Sequence, residues 1–318
     1  MSAVVMQGKR TRLGASKRAP LLPGGVATDW PPPFGAQWVW LGYLLVARRA
    51  VQLILITLIA IPIQAVLLKL PGNWWMRFAR FYWDAFRWCF GVRLRRIGAP
   101  AHNLPDGRRS VVFVSNHSSW LDIPILGSVL YARFVSKDDV ASWPVVGTVA
   151  RLGRTVFVSR HRARTRAERD ELQRRLRAGD NLILFPEGTT SDGTRVLPFR
   201  SAFLSVALGE DPPLVQPVSL VYDRLAGLPV GRAAREIFAY HGDTSIGEHF
   251  WRLSQWRGLR ASLLLHPPLD PRDFPDRKAL AHAVWLTVAN GAAALRQSRA
   301  AAAAAAKPER TRAEPVLA

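Results

Sequence analysis

A short apolar run that ends in a histidine is the feature that most constrains the fold of this chain. Residues 110–115 read Ser-Val-Val-Phe-Val-Ser, and residues 116–122 continue as Asn-His-Ser-Ser-Trp-Leu-Asp. A run of this length with polar residues at both ends is typical of a buried strand. His117 would then stand at the carboxyl end of that strand, where open α/β sheets bind their ligands. The pattern predicts an α/β fold with a histidine in a catalytic position.

The spacing between His117 and Asp122 indicates how the histidine would work. A neutral imidazole takes a proton from a hydroxyl only when an acceptor holds its other nitrogen in the right tautomer. Asp122 is such an acceptor, provided that the chain turns after His117 and the carboxylate reaches back. The structural alternative is a core histidine beside a helix-capping Asn or Ser, and this pattern alone does not separate the two.

Three more apolar runs support a sheet of this kind. Residues 153–160 end in an arginine, residues 182–191 pass from an apolar run into a Pro-Glu-Gly turn rich in hydroxyls, and residues 215–221 are mostly apolar. Helix-length polar stretches lie between the runs, near residues 121–131, 163–178 and 200–209. This alternation predicts a mostly parallel sheet flanked by helices.

The carboxyl ends of parallel strands meet at one edge of a sheet. We therefore expect His117, Arg160 and Glu187 to lie close together, although they are far apart in sequence. The guanidinium of Arg160 is a bidentate donor suited to phosphate.

Taken together, the four segments resemble the glycerolipid acyltransferase family, which includes the 1-acylglycerol-3-phosphate acyltransferases. The resembling blocks are residues 116–122, 153–160 and 185–189 and the region around Pro217. In this family the histidine of the first block is the base that activates the acceptor hydroxyl for attack on an acyl thioester, and the aspartate orients it. By resemblance, these roles fall to His117 and Asp122.

The resemblance also implies an acceptor site. The arginine of the second block and the Glu-Gly of the third line that site or support it. The residues that we expect to bind substrate are Asn116, Arg160, Glu187, Gly188, Thr189, Thr190 and Arg200.

One departure from the family pattern bears on the acceptor. Members that act on lysophosphatidate usually continue the third block with Arg-Ser after Glu-Gly-Thr, whereas Thr190 and Ser191 follow here, and only Arg195 and Arg200 lie nearby. The first expectation is transfer to 1-acyl-sn-glycerol-3-phosphate, which gives phosphatidate. The alternative is a lyso-ornithine lipid, because residues 216–220 and 241–251 look like the branch that includes lyso-ornithine lipid acyltransferases.

The chemistry of the transfer sets further expectations. Attack on a thioester needs a deprotonated nucleophile and donors for the oxyanion. The amides of the Gly188–Thr189 turn, or of a helix after Asn116, are candidate donors. The chain contains no Gly-x-Ser-x-Gly elbow, which favours direct transfer over a covalent intermediate. The donor, acyl-CoA or acyl-carrier protein, is a co-substrate, and we expect neither a cofactor nor a metal.

The charge of the chain points to an anionic partner. Lys and Arg number 44 against 23 Asp and Glu, a net charge of +21. Nucleic acid is disfavoured because the sequence shows no zinc-ligand pattern, basic zipper or RNA-recognition signature. Arginines instead accompany tryptophans and a long apolar stretch, and membrane lipids and a lysolipid acceptor are the expected partners.

That apolar stretch lies before the catalytic blocks. Residues 50–68 carry no charge and are long enough to cross a bilayer core of ~30 Å. Together with residues 38–47 they predict either a single span or a hairpin of two helices within one leaflet. Residues 74–88 interleave aromatics with arginines, as interfacial helices do.

These features divide the chain into four parts. We expect a disordered basic and Pro-rich tail at residues 1–37, membrane-embedded or interfacial helices at 38–92, a catalytic domain at 93–296 and a disordered Ala-rich tail at 297–318. The single Cys89 fits a reducing compartment, and the expected location is the cytoplasmic membrane with the active site facing the cytoplasm. A non-catalytic basic membrane-binding protein is the alternative of another class, but such a protein has no need for a paired base and acid.

Overall fold

The computed structural model describes residues 39–101, 109–158, 165–242 and 244–298. The helices are α1 Val39–Leu67, α2 Trp74–Cys89, α3 Asp122–Val129, α4 Val146–Leu152, α5 Thr165–Arg177, α6 Ile246–Ser254 and α7 Arg277–Arg296. The strands are β1 Val92–Ile97, β2 Val111–Ser115, β3 Arg133–Lys137, β4 Val156–Val158, β5 Leu182–Leu184, β6 Leu214–Leu225, β7 Leu228–Pro229 and β8 Leu259–Leu265. The predicted tail at 1–37 and all but two residues of that at 297–318 lie outside the described residues.

The strands form a mixed sheet in the order β1-β8-β6-β2-β5-β3-β4, with β7 paired to β6. Strands β6, β2, β5, β3 and β4 run parallel, whereas β8 is antiparallel to β6 and parallel to β1. The prediction of a mostly parallel sheet flanked by helices is confirmed. After β2 the chain leaves for β3 and β4 on one side, returns to β5 and then crosses to β6. Strand β2 therefore stands at the switch point, where the carboxyl ends of the strands open a crevice.

Both faces of the sheet are covered, and the alternation of β2 shows how. Val111 and Phe113 belong to a core cluster that includes residues of α2, α3 and α6. Val112 and Val114 point to the other face and join a cluster with α5 and α7. Every residue of β2 is buried, as expected for a strand packed on both sides.

The helix α1 corrects the idea of two short membrane helices. Residues 39–67 form one continuous helix, with Pro62 inside it, and no break separates the two apolar pieces in this described segment. Three of its polar residues face the protein, whereas Arg48 is exposed. The guanidinium of Arg49 donates to the carbonyl of Ser254, Thr57 bonds to Tyr82, and Gln64 donates to the carbonyl of Leu152. The helix thus lies along the domain, and its opposite face is apolar and exposed.

Candidate active site

The catalytic loop, defined here as residues 116–122, connects β2 to α3. The side-chain amide of Asn116 donates to the carbonyl of Leu220 at 2.9 Å and accepts from the amide of the same residue at 2.8 Å. These bonds tie the start of the loop to the neighbouring strand β6. The side-chain amide of Asn116 thus positions the loop, and its expected contact with substrate stays a prediction.

The histidine and the aspartate of the loop are in contact. The Nδ1 of His117 lies 2.7 Å from Oδ2 of Asp122, because the chain turns through residues 118–121 and brings the carboxylate back beneath the ring. The same Oδ2 accepts the backbone amides of Ser118 and Ser119 at 2.8 and 3.0 Å. With Nδ1–H donating to the carboxylate, Nε2 is the nitrogen left to accept a proton.

Asp122 is fully buried and depends on these donors. Its Oδ1 accepts the hydroxyl of Tyr222 at 2.6 Å, so the carboxylate receives four hydrogen bonds in all. Burial and the charge of Asp122 raise the pKa of Tyr222 well above its usual value, which keeps the phenol a donor. A buried carboxylate is tolerated when its oxygens are satisfied in this way.

His117 itself is open to solvent on one side. Its ring stacks on Phe185 with centroids 4.1 Å apart, and 20% of its side chain is exposed. The loop backbone is held by Ser191, whose amide donates to the carbonyl of His117 at 2.9 Å. The imidazole is therefore fixed in orientation, with an exposed part from which a substrate can be reached.

Glu187 joins the catalytic loop to the turn after β5. Its two oxygens accept the backbone amides of His117 at 2.7 Å and Leu197 at 2.9 Å. Burial raises the pKa of Glu187 to about 7, although both hydrogen bonds act to lower it. The carboxylate is 3% exposed, so its place is beneath the site as a support. His117 and Glu187 thus meet as the sequence predicts.

The other expected substrate contacts are spread around this turn. Gly188 adopts φ +69°, and the guanidinium of Arg200 lies about 3.3 Å from where a Cβ of Gly188 would stand. A side chain at Gly188 would be strained and would crowd Arg200. Arg200 and Thr189 are exposed and Thr190 is half-buried, so all three can face a ligand. Arg160 lies outside the described residues, and its expected proximity stays a prediction.

Most of the candidate oxyanion donors already donate a hydrogen bond within the protein. The amide of Gly188 donates to the carbonyl of Phe185 at 3.1 Å, and those of Ser118 and Ser119 serve Asp122. Within the described part of the chain, the amide of Thr189 has no hydrogen-bond partner. The amide of Trp120, after Asn116, likewise has no partner among the described residues, so two of the predicted donors are open to a ligand.

Comparisons with known proteins identify the family of the chain. Residues 99–221 match the family model described as Acyltransferase. A lyso-ornithine lipid O-acyltransferase of Brucella abortus is 35% identical over 265 residues, which cover 81% of this chain and 96% of that protein. The chain belongs to the acyltransferase family. The resemblance found in the sequence is confirmed.

One further relative and one solved structure are also similar to this acyltransferase. A 1-acyl-sn-glycerol-3-phosphate acyltransferase of Neisseria gonorrhoeae is 31% identical over 189 residues, 58% of this chain and 69% of that protein. The crystal structure of a 1-acyl-sn-glycerophosphate acyltransferase from Thermotoga maritima matches with a TM-score of 0.52 at 21% identity, over 78% of this chain and 98% of that one. The latter likeness concerns the fold, and it confirms the α/β architecture.

Sequence reasoning missed two side chains around the catalytic loop of the acyltransferase. Tyr222 lies just beyond the apolar run at 215–221, and its hydroxyl reaches Asp122. His249 lies in α6 and accepts the indole N–H of Trp120 at 2.8 Å, while burial lowers its pKa to about 4. The position of Tyr222 near the end of a strand parallel to β2 was the available signal for the first, and nothing in the sequence indicated the second.

Proposed function

We propose that this acyltransferase moves an acyl group from a thioester to the free hydroxyl of a lyso-ornithine lipid. The observation that carries the reaction type is the pairing of His117 with Asp122, which leaves Nε2 as the base. Two observations support this acceptor. The relative with the widest coverage cited above bears that name, and Thr190 stands where members acting on lysophosphatidate usually have arginine. This ranking reverses the order favoured by the sequence.

The geometry supports a direct transfer. Nε2 of His117 takes the proton of the acceptor hydroxyl as its oxygen attacks the thioester carbonyl carbon. The tetrahedral intermediate collapses with cleavage of the carbon–sulfur bond, and the imidazolium returns the proton to the departing thiolate. Asp122 stabilises the imidazolium and holds its orientation throughout.

The transfer needs no group that this chain does not supply. We place the oxyanion near the amide of Thr189, with Arg200 close to the same turn. The donor is acyl-CoA or acyl-carrier protein and acts as a co-substrate, so no cofactor and no metal enter the scheme.

Lysophosphatidate is the second candidate acceptor. Arg200 favours it, because its exposed guanidinium above Gly188 is a donor for phosphate near the base. The relative from Neisseria gonorrhoeae bears the corresponding name. A single arginine at a different position from that of the family pattern is the weaker support.

The N-terminal helices support a location on the membrane. Among the described residues, α1 is long and apolar enough to cross a bilayer. Its outward face exposes Trp40, Leu44, Val51, Ile54, Leu55, Leu58, Ile59, Ile63 and Val66. On α2, the aromatics Trp74, Phe81 and Trp88 are spaced seven residues apart and are each more than half exposed. Rings on one face of a helix beside an apolar surface suit the interface between headgroups and acyl chains.

The packing of α1 favours partial embedding over a perpendicular span. Arg49 and Gln64 both bond to the catalytic domain and are fifteen positions apart, which is ~22 Å of helix. A helix held against the domain over this length presents only one side to lipid. We propose that it lies in one leaflet of the cytoplasmic membrane, with the active site on the cytoplasmic side, where acyl thioesters are supplied.

The acceptor is tested with purified, detergent-solubilised protein and labelled acyl thioesters. We expect kcat/KM for lyso-ornithine lipid to exceed that for lysophosphatidate at least about ten-fold, and Thr190→Arg to narrow the ratio by adding a phosphate donor. Thr190→Lys shows whether another cation has the same effect, and Thr190→Val removes the hydroxyl without adding a charge. His117→Ala removes the proposed base. A wild-type preference for lysophosphatidate would overturn the proposed acceptor, and the absence of His117-dependent product with either would overturn the reaction.

Membrane placement is tested by co-sedimentation with anionic vesicles. Replacing Trp74, Phe81 and Trp88 together by serine should lower the bound fraction, because three exposed rings are removed from the proposed interface. The control is His282→Ser, which removes an exposed ring from α7 on the opposite face of the sheet. Equal binding of both variants would contradict this placement.

A further inference from the structure

A second cleft lies against the catalytic loop, on the side of β6. The cleft is shallow: about 290 Å³ is free of protein atoms when the open solvent at its mouth is counted, and only about 10 Å³ of this is room for the centre of a water-sized group. Asn116 and Ser118, the two neighbours of His117, both line it. Gly193 forms another part of the wall. Two arginines complete it: Arg235, from the 3₁₀ segment Ala233–Ile237, and Arg296, the last residue of α7. We call it the arginine cleft.

The cationic charge of the arginine cleft is incompletely satisfied. Among the described residues, the Nε of Arg296 is buried and has no hydrogen-bond partner. Burial, and then the charge of Arg235, lower the pKa of Arg296 to about 10, so the guanidinium remains a cation at neutral pH. Within the same described residues, neither arginine forms an ion pair with Asp or Glu.

Two guanidinium groups that line one partly desolvated cleft repel each other and keep unused donors. Glu187 and Asp192 act on Arg296 only through their charges and do not bond to it. An anionic group with two oxygens would use the donors and relieve the repulsion, and a carboxylate matches the planar fork of a guanidinium. The cleft thus offers donors for an anion next to the catalytic loop.

We propose that the arginine cleft binds the carboxylate of the acceptor headgroup and thereby selects an amino-acid lipid. This inference rests on the proposed function. Ornithine that is acylated on one nitrogen keeps one carboxylate and one ammonium, and a site for it needs both signs of charge. Asp192 supplies the negative sign: it is exposed and precedes Gly193 in the wall of the cleft.

The location also suits the reaction. Because Asn116 and Ser118 flank His117, a headgroup held in the cleft and a hydroxyl at Nε2 share one loop. The cleft makes up for the missing arginine at position 190 with cations from two distant parts of the chain. Sequence blocks do not reveal this, since Arg235 and Arg296 lie outside all four of them.

The test uses Arg235→Gln and Arg296→Gln, singly and together, in the full-length protein. KM for lyso-ornithine lipid should rise about ten-fold in each single variant, which corresponds to the loss of one charge-assisted hydrogen bond, whereas KM for the acyl donor should stay unchanged. Arg232→Gln is the matched control, because Arg232 is exposed beside the same 3₁₀ segment and does not line the cleft.

A chemical change in the acceptor provides the second arm. The carboxyl methyl ester of lyso-ornithine lipid removes the negative charge, so wild-type protein should show a similar rise in KM for the ester. The arginine variants should lose little more, because the contact is already absent. This arm does not depend on whether Arg296→Gln folds.

Three results would overturn the carboxylate site. The first is equal KM values for acid and ester in the wild type, and the second is an unchanged acceptor KM in folded arginine variants. The third is a rise in the KM for the acyl donor in these variants, which would assign the cleft to a phosphate of the donor. A wild-type protein that acylates only lysophosphatidate would refute the proposed acceptor itself. A rise in KM for lysophosphatidate in the variants would then make the cleft a phosphate site.

Discussion

Two histidines of this protein bond to a side chain at the same sheet, and their surroundings give them opposite roles. His117 pairs with Asp122 at 2.7 Å and keeps 20% of its side chain exposed. His266 pairs with Ser219 at 2.8 Å, and both are buried. By residue type alone, the Ser–His pair resembles a nucleophile with its base more closely than does the His–Asp pair to which we assign the chemistry.

The protonated nitrogen distinguishes the two pairs. The hydroxyl of Ser219 donates to the carbonyl of Val288 at 2.9 Å, so Nε2 of His266 must donate to the serine and does not act as its base. Gly291 also closes the approach, since an added Cβ there would lie 2.4 Å from Oγ of Ser219. In the His117 pair, Nδ1 carries the proton and Nε2 stays open. Access and tautomer, more than residue type, are our grounds for proposing the His117 pair as the catalytic one.

The largest expected effect comes from Asp122→Asn, which breaks the His117 pair at its acceptor. The amide cannot hold the tautomer that leaves Nε2 as the base, and kcat should fall by roughly 10³-fold or more. Steady-state acyl transfer measures this fall. The result that would break the comparison is a variant with near-normal kcat and unchanged circular dichroism, since Asp122 would then be only structural.

The opposite outcome is expected for His266→Ala. The substitution leaves a cavity and removes a donor to Ser219, so the free energy of unfolding should fall by roughly 2–4 kcal/mol. The specific activity of the folded fraction should change less than about two-fold. Denaturant unfolding and acyl transfer on the same sample give both values, and a selective loss of kcat without loss of stability would contradict the structural role.

The pH dependence of stability sharpens the role of His266. Burial lowers its pKa from 6.5 to about 4 in the folded state. The stability due to the neutral ring is present above about pH 6.5 and is lost as pH falls towards 4. Stability curves of the wild type and His266→Ala should therefore converge on acidification, and parallel curves between pH 4 and 7 would oppose this assignment.

Glu187→Gln should have an intermediate effect on stability. In the variant, the side-chain NH₂ of glutamine faces one of the two backbone N–H donors. Two donors cannot bond to each other, so the free energy of unfolding should fall by about 1–3 kcal/mol. The folded pKa of about 7 lies above the usual 4.5, so the contribution of the protonated acid is full below about pH 4.5 and is lost as pH rises to about 7. Chemical unfolding between about pH 4.5 and 7 should show stability falling with rising pH in the wild type and no such fall in the variant.

The smallest effect is expected for Tyr222→Phe. Asp122 loses one of four donors but keeps the bond to His117, so kcat should fall about 3- to 10-fold. The rate of acyl transfer measures this, and Phe238, stacked on Tyr222 at 4.7 Å, should hold the new ring in place. A loss as large as that of Asp122→Asn would place Tyr222 in the reaction itself.

The local parts of the fold and site could be predicted from the sequence. The apolar run at 111–115 and the spacing of His117 and Asp122 suffice, because a strand and a turn depend on adjacent residues. The meeting with Glu187 followed from the rule that parallel strands end at one edge. These predictions needed no long-range packing information.

The contacts made across the fold could not be predicted. Tyr222 reaches Asp122 only because β6 extends beyond β2, and the pairing of β1 with β8 joins segments more than 160 positions apart. The run at 38–68 left a single span and a hairpin of two helices open because Arg48 and Arg49 interrupt it, yet Arg49 is buried against the carbonyl of Ser254. One of its N–H donors is satisfied by a contact that no local pattern encodes.

The most direct test is the rate of acyl transfer to lyso-ornithine lipid by the wild type, His117→Ala and His266→Ala, each normalised to its folded fraction. The structure predicts that the folded fraction of His117→Ala loses roughly 10²- to 10⁴-fold in rate, whereas the folded fraction of His266→Ala retains its rate. Equal losses in both variants, or transfer that survives without His117, would contradict the assignment of the catalytic base.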